Sequence, residues 1–159
     1  MNTDHIALEN EDASTSRHAF LESQTALEHF IAAWRQGQLP KSAWTHAAHV
    51  AAAAYFAFDH EPEALFYAMK AGVLHHNASV GTPNTEDSGY HETLTRFWCA
   101  TIGEFVRGVR FASRFNAACG AVERFGEERD LFRRFYRFDV VKDRRARREW
   151  ILPDQQSAA

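Results

Sequence analysis

The stretch Trp44–Phe58 reads WTHAAHVAAAAYFAF and contains no acid, lysine or arginine. A helix that is apolar around its whole circumference lies inside a protein, in contact with several neighbours. We therefore expect a buried helix that begins near Ser42 or Thr45 and ends at Phe58. Its two histidines, His46 and His49, must then lie inside the protein as well.

Apolar residues recur at helical spacing over most of the remaining chain. We expect helices at residues 18–36, with Gly37 after the last turn, at 62–78, from Tyr90 to about Asn116 or Cys119, at 121–138 and at 143–150. Only RFDVV, residues 137–141, has some resemblance to a strand. The sequence predicts an all-α, single-domain helical bundle of about five to six helices over residues 17–155, after a disordered acidic tail at residues 1–16.

The composition indicates a globular protein of one domain. The chain has 159 residues, of which 45% are hydrophobic and 25% are charged, and these fractions are ordinary for soluble domains. His46 and His49 interrupt the longest apolar run, and the acidic N-terminus lacks the pattern of a secretory signal. We therefore expect a cytoplasmic protein that does not enter a membrane, with Cys99 and Cys119 reduced and buried.

The charges are divided unevenly along the chain. Residues 1–95 carry 4 basic and 12 acidic side chains, whereas residues 96–150 carry 14 basic and 8 acidic ones. Such a division can attract an anionic ligand or pair two subunits in a homodimer. The arginines alternate with Glu and Asp instead of forming one basic stripe, so nucleic acid is not an expected partner.

His46 and His49 lie three residues apart and therefore share one face of the expected helix. A buried imidazole without a partner costs about 1–3 kcal/mol. One divalent metal ion would satisfy both rings. Alternatively, each ring donates to a backbone carbonyl or to a tyrosine and has a packing role. The sequence leaves both interpretations open.

A second group of polar residues, GYHETLT at Gly89–Thr95, follows the loop SVGTPNTEDSG at residues 79–89. With Gly89 as the N-cap, His91 and Glu92 lie in the first turn of a helix, where the helix dipole keeps an imidazole neutral and able to bind a metal. Glu92 then acts as a general base or supports the ligands. Alternatively, Glu92 stabilises the helix end and pairs with Arg96.

Taken together, these motifs resemble a family of small, largely uncharacterised bacterial helical proteins. The resemblance lies in W-T-H-x-x-H at residues 44–49, in G-x-x-N-T followed by G-Y-H-E-T-L-T at residues 81–95, and in A-R-x-x-W-x-x-P-D at residues 146–154. It covers roughly residues 30–155. The resemblance implies that these segments belong to one recurring design, and it implies no reaction.

The sequence thus predicts a metal-dependent enzyme in which His46, His49 and His91 bind one divalent ion, and it does not distinguish Zn, Fe, Cu, Ni and Mn. The bound ion activates water for hydrolysis or elimination on a small, anionic substrate. The predicted catalytic residues are Tyr90 and Glu92. The predicted substrate-binding residues are Asn84, Thr95, Arg110 and Arg114, and His75 or His76 is a further candidate ligand.

Two other functions remain open from the sequence. The same histidines could hold Fe(II) or copper and activate oxygen, as an oxidoreductase does. A non-catalytic helical module that binds a ligand in an aromatic pocket is the alternative from a different class.

Overall fold

The computed structural model describes residues 18–155, which form six α-helices. These are α1 (Gln24–Arg35), α2 (His46–Ala57), α3 (Pro62–Ser79), α4 (Glu92–Val109), α5 (Arg114–Phe125) and α6 (Arg144–Arg148). Short 3-10 helices occupy Ala19–Leu21, Lys41–Ala43 and Leu131–Phe135. No β-strand occurs among residues 18–155, so the all-α bundle is confirmed and the strand considered at residues 137–141 is wrong.

Other expectations drawn from composition have different outcomes. The acidic tail predicted at residues 1–16 lies outside the described residues. Between residues 18 and 155, no helix combines the length and the apolar composition needed to cross a membrane. Cys99 and Cys119 are free thiols; Cys99 is buried as expected, whereas Cys119 is only partly buried.

Helix α2 is the buried helix that the sequence predicts. The side chain of Thr45 accepts a hydrogen bond from the Ala48 amide and so caps its N-terminus. Ten of its twelve residues are buried, and it packs against α5, α4 and α3. The other two are His46 and His49, which are partly exposed and not fully inside the protein as expected. Small residues make the contact with α5 close, because alanines on both helices have no exposed surface. These are Ala48, Ala51, Ala52 and Ala54 on α2, and Ala117, Ala118 and Ala121 on α5.

Several predicted helix boundaries are wrong. The long fourth helix is two helices, because Arg110 adopts a left-handed conformation with φ of 60° and ends α4. Ser113 then caps the start of α5 through a 3.0 Å hydrogen bond from the Asn116 amide. In the same way Ser23, not a residue near His18, begins α1. The helices predicted at residues 121–138 and 143–150 shorten to the end of α5, a 3-10 helix and α6.

The chain after α5 folds back over α4. Around Phe97 of α4, a second apolar cluster contains Phe132, Tyr136, Val140 and Ala146. We call residues 126–155 the C-terminal segment. Its contact with α4 brings residues that are distant in sequence close to α2.

The close contact of α2 with its neighbours predicts that α2 does not accept a larger side chain. Ala52→Leu should lower the free energy of unfolding by about 1–3 kcal/mol, because extra methylene groups in a packed core force neighbours to move. Ala100→Leu, at an exposed position of α4, is the matched control and should change it by less than about 0.5 kcal/mol. Urea denaturation measures both. Equal effects of the two substitutions would contradict the close packing of α2.

Candidate functional site

One cavity of about 680 Å³ lies between α2, α3, α4 and the C-terminal segment. Its walls are mostly apolar, with Val50, Ala53, Met69, Val73 and Ile102 among them. Five residues that the sequence analysis selected also line it, and they come from both motifs. These are His46, His49, Tyr90, His91 and Thr95.

His46 is held by the end of α5. Its Nε2 lies 3.0 Å from the carbonyl oxygen of Phe125. A carbonyl only accepts, so Nε2 carries the proton and donates, and Nδ1 keeps a lone pair. The ring lies edge-on to Trp98, with 4.9 Å between the centroids. Burial lowers the pKa of His46, although the hydrogen bond to Phe125 acts in the opposite direction.

His49 is held in a similar way by its own helix. Its Nδ1 donates to the carbonyl oxygen of Thr45 at 2.7 Å, so the lone pair lies on Nε2. The Trp44 ring covers the imidazole at a centroid distance of 3.9 Å. Burial lowers the pKa of His49 to about 4, so this imidazole is neutral at physiological pH. Backbone carbonyls are the partners that the packing interpretation assigned to both histidines.

His91 differs from the pair because both of its ring nitrogens have partners. It is the N-cap of α4, where its Nδ1 accepts a 3.3 Å hydrogen bond from the Leu94 amide. Its Nε2 donates to the carbonyl oxygen of Val140 at 2.9 Å. The prediction that Gly89 caps the helix and that His91 lies in its first turn is therefore wrong. With no free lone pair, His91 does not act as a metal ligand in this arrangement.

Glu92 lies in an ionic network beside the cavity and does not line it. Its carboxylate accepts hydrogen bonds from the Tyr90 hydroxyl at 2.7 Å and from Lys70 Nζ at 3.0 Å. Arg96 lies one turn further along α4, with its Nε 3.5 Å from the carboxylate, which is the pairing that the alternative interpretation of Glu92 predicted.

The electrostatics of this network do not suit proton transfer at neutral pH. Burial acts to raise the pKa of Glu92, but the hydrogen bonds from Tyr90 and Lys70 and the charge of Arg96 together lower it. Burial and the bond to Glu92 raise the pKa of Tyr90. A carboxylate whose pKa lies below its ordinary value is a weak base at pH 7, so this geometry does not favour the catalytic roles predicted for Tyr90 and Glu92.

Of the remaining predicted substrate residues, Asn84, Thr95 and Arg114 have side-chain partners within the protein. Asn84 Oδ1 accepts hydrogen bonds from the Asn77 side chain and the Tyr90 amide, both at 2.9 Å, and so shapes the loop. Thr95 lines the cavity, but its hydroxyl donates to the carbonyl of His91 at 2.9 Å. Arg110 ends α4, and Arg114 pairs with Asp59. Neither arginine lines the cavity.

The GYHETLT motif holds the C-terminal segment on α4. The Thr93 hydroxyl donates to the carbonyl of Glu149 at 2.7 Å and accepts from the Ile151 amide at 3.0 Å. Arg147 in turn donates to the carbonyl of Gly89 at 3.1 Å. Together with the bond from His91 to Val140, these contacts give the motif a structural role that the sequence analysis did not identify.

Several cavity residues were not selected as site residues in the sequence analysis. Trp44 belongs to the quoted motif, but nothing in the sequence separates a cavity wall from a core aromatic residue. Trp98 and Arg129 also line the cavity. Arg129 follows shortly after the end of α5, and no local pattern signals that this part of the chain reaches the cavity.

The described residues do not assemble the predicted three-histidine centre. Within residues 18–155, no three His, Cys, Asp or Glu side chains are grouped closely enough to hold a metal ion. Comparison of the chain with models of protein families, with curated proteins and with solved structures finds no match. The resemblance stated from the motifs thus stays a prediction.

The ionic network predicts that Glu92 stabilises the fold. Glu92→Gln should lower the free energy of unfolding at pH 7 by about 1–3 kcal/mol, because it weakens buried hydrogen bonds to charged partners. The pKa of Glu92 is lower in the folded protein, so this stabilisation is present above its ordinary pKa, near 4.5, and is lost as the pH falls through the folded value.

The control is Glu104→Gln at an exposed position of α4. Its free energy of unfolding should differ little from that of the wild type at any pH. Chemical denaturation of the wild type and both variants between pH 3.5 and 7 provides the comparison. A constant difference between wild type and Glu92→Gln across that range would contradict the network.

Proposed function

We propose that the cavity binds a small molecule with a planar apolar body, a hydroxyl group and an anionic group. The observation that carries the proposal is the pair of neutral imidazoles on one face of α2. The proton of each is fixed by a backbone carbonyl, which leaves His46 Nδ1 and His49 Nε2 as acceptors. Neither nitrogen forms a hydrogen bond with another residue between 18 and 155. The ligand therefore needs a donor such as a hydroxyl group.

The aromatic walls support a planar ligand. Trp44 lies against His49 and Trp98 lies against His46, so each acceptor has an indole beside it. Aromatic faces contribute large apolar contact areas and favour stacking with another ring. Apolar residues from α2, α3 and α4 complete the walls.

Arg129 is the residue that indicates an anionic group on the ligand. Two arginines line the cavity, and Arg133 is paired with Asp130 and Asp139. Arg129 forms no hydrogen bond or ion pair with any residue between 18 and 155. Its charge acts to lower the pKa of His46, whereas the charges of Asp130 and Glu127 act to raise it, so the exposed guanidinium and these two carboxylates all lie near that ring. An unpaired guanidinium is well suited to bind a carboxylate or phosphate, so Arg129 replaces Arg110 and Arg114 in this role.

Binding is favoured over acid–base catalysis because of the electrostatics of His49. A base with a pKa of about 4 accepts a hydrogen bond at pH 7 but takes a proton only from a strong acid. The ligand-binding module is therefore the alternative from the sequence analysis that the geometry supports best.

The test uses 4-hydroxybenzoate, which has a planar ring, one hydroxyl and one carboxylate, and benzoate, which lacks the hydroxyl. Calorimetric titration should give 4-hydroxybenzoate the higher affinity. His49→Leu, which keeps a similar volume and removes the acceptor, should weaken 4-hydroxybenzoate binding by about threefold to tenfold and should leave benzoate nearly unchanged.

His29→Leu, at an exposed position of α1, is the matched control and should bind both probes as the wild type does. Arg129→Gln should weaken both probes, since both carry the carboxylate. Equal affinities of the two probes for the wild type, or equal losses of both in His49→Leu, would contradict the acceptor role of His49.

A metal-dependent enzyme remains the second candidate, and one observation favours it. A histidine that binds a metal usually donates its other ring N–H to a carbonyl or carboxylate, as His46 and His49 do here. These two residues would hold the ion, and the bound ion would supply Lewis-acid activation of water. Water or the substrate would have to complete the coordination, because His91 is fully hydrogen-bonded.

Metal analysis of protein purified without a His-tag separates the two candidates. The metalloenzyme predicts one divalent ion per chain, which is lost in His49→Leu and retained in His91→Asn, since asparagine can still cap α4. Protein that neither contains nor takes up an ion and still binds 4-hydroxybenzoate would support the binding module instead.

A further inference from the structure

Three aromatic side chains have polar atoms that are buried without a partner. The indole nitrogens of Trp34 and Trp44 and both ring nitrogens of His76 form no hydrogen bond within residues 18–155. Trp34 and His76 are each only 1% exposed. Buried polar groups in folded proteins nearly always have a partner, and an unpaired one is destabilising. The four atoms therefore need a partner that the described chain does not supply.

The three side chains are neighbours, and their cluster meets the cavity at Trp44. The Trp34 and Trp44 rings stack with 4.8 Å between centroids, and the His76 ring lies 5.6 Å from Trp44. Trp44 itself lines the cavity, as does Val73, which lies one turn before His76 on α3. Gly72 lets the Trp34 ring lie directly against α3, because a Cβ atom at that position would be only 2.0 Å from the ring.

The donors outnumber the acceptors in this cluster. Each indole can only donate, and a neutral imidazole donates once and accepts once. Burial lowers the pKa of His76, which keeps the ring neutral. A ligand that presents an oxygen acceptor thus suits the cluster better than one that presents a further donor.

A charged occupant does not fit. Among residues 18–155, no Lys, Arg, Asp or Glu forms a hydrogen bond or ion pair with Trp34, Trp44 or His76. An anion held there would be removed from water without a cation beside it, which is strongly unfavourable. The acceptor should therefore be the oxygen of a neutral group such as an amide or a ketone.

We propose that Trp34, Trp44 and His76 form a buried subsite that binds the carbonyl oxygen of a small neutral molecule. Access is from the cavity, past Trp44 and Val73. The subsite is separate from the acceptor pair of the proposed function, because none of its unpaired atoms belongs to His46 or His49. A molecule that fills the cavity and extends a carbonyl group toward His76 would occupy both.

The test follows the indole N–H resonances of the ¹⁵N-labelled protein during a titration with acetamide. The chain has four tryptophans, so single Trp→Phe variants assign the four signals. Acetamide should shift the Trp34 and Trp44 signals in a saturable manner and leave Trp150, beyond α6, unchanged. Acetate has nearly the same shape but carries a charge, and it should not shift the Trp34 and Trp44 signals.

His76→Phe removes both ring nitrogens and should weaken acetamide binding at least tenfold. His75→Phe, at the adjacent exposed position, is the matched control and should bind acetamide as the wild type does. If His76→Phe does not fold, the acetamide and acetate titrations of the wild type decide the question alone.

Three results would overturn the subsite. One is the absence of a saturable shift of Trp34 and Trp44 with acetamide. Another is an equal response to acetate. The third is that the Trp34 and Trp44 indole N–H groups contact only ordered water and that acetamide does not displace this water. The proposed function is measured separately with 4-hydroxybenzoate, so its failure and the failure of the subsite are distinguishable.

Discussion

The burial of α2 is the constraint on which the rest of the structure depends. With no charged side chain between Lys41 and Asp59, this helix is surrounded by its neighbours, and its two histidines are partly buried at the wall of the cavity. Each ring donates its one proton to a backbone carbonyl, because an unpaired N–H inside the protein is costly. Each therefore has one lone pair left, beside a tryptophan and at the wall of a cavity. The chemistry of the site follows from this arrangement.

The second motif provides the frame for that site. Tyr90, His91, Glu92 and Thr93 all find partners within the protein, and through His91 and Thr93 they fasten the C-terminal segment to α4. That segment forms one wall of the cavity, and Arg129 is part of this wall. The polar residues of the motif thus need no metal or substrate to account for their presence. The two unpaired acceptors on α2 and the buried polar cluster at His76 are different, because the described chain offers them no partner.

Much of the fold could be predicted from the sequence. The apolar run predicted α2 and its burial, and Pro62 marked the start of α3. The sequence analysis missed the break between α4 and α5 because Arg110 adopts the left-handed conformation that ends α4. Glycine is the residue that usually adopts this conformation, so an arginine gives no signal of it. At the site, residues of both motifs line one cavity. The sequence could not predict that His91 donates a hydrogen bond to the carbonyl of Val140, since the two residues are far apart in the chain.

The central claim is that the protons of His46 and His49 are fixed by the backbone and leave two acceptors in the cavity. Long-range ¹H–¹⁵N correlation spectra of the histidine rings test it most directly. The account predicts a proton on Nε2 of His46 and on Nδ1 of His49 at pH 7, with His49 staying neutral until the pH approaches about 4. Rings that exchange between tautomers and gain a proton near pH 6.5, as exposed histidines do, would contradict it.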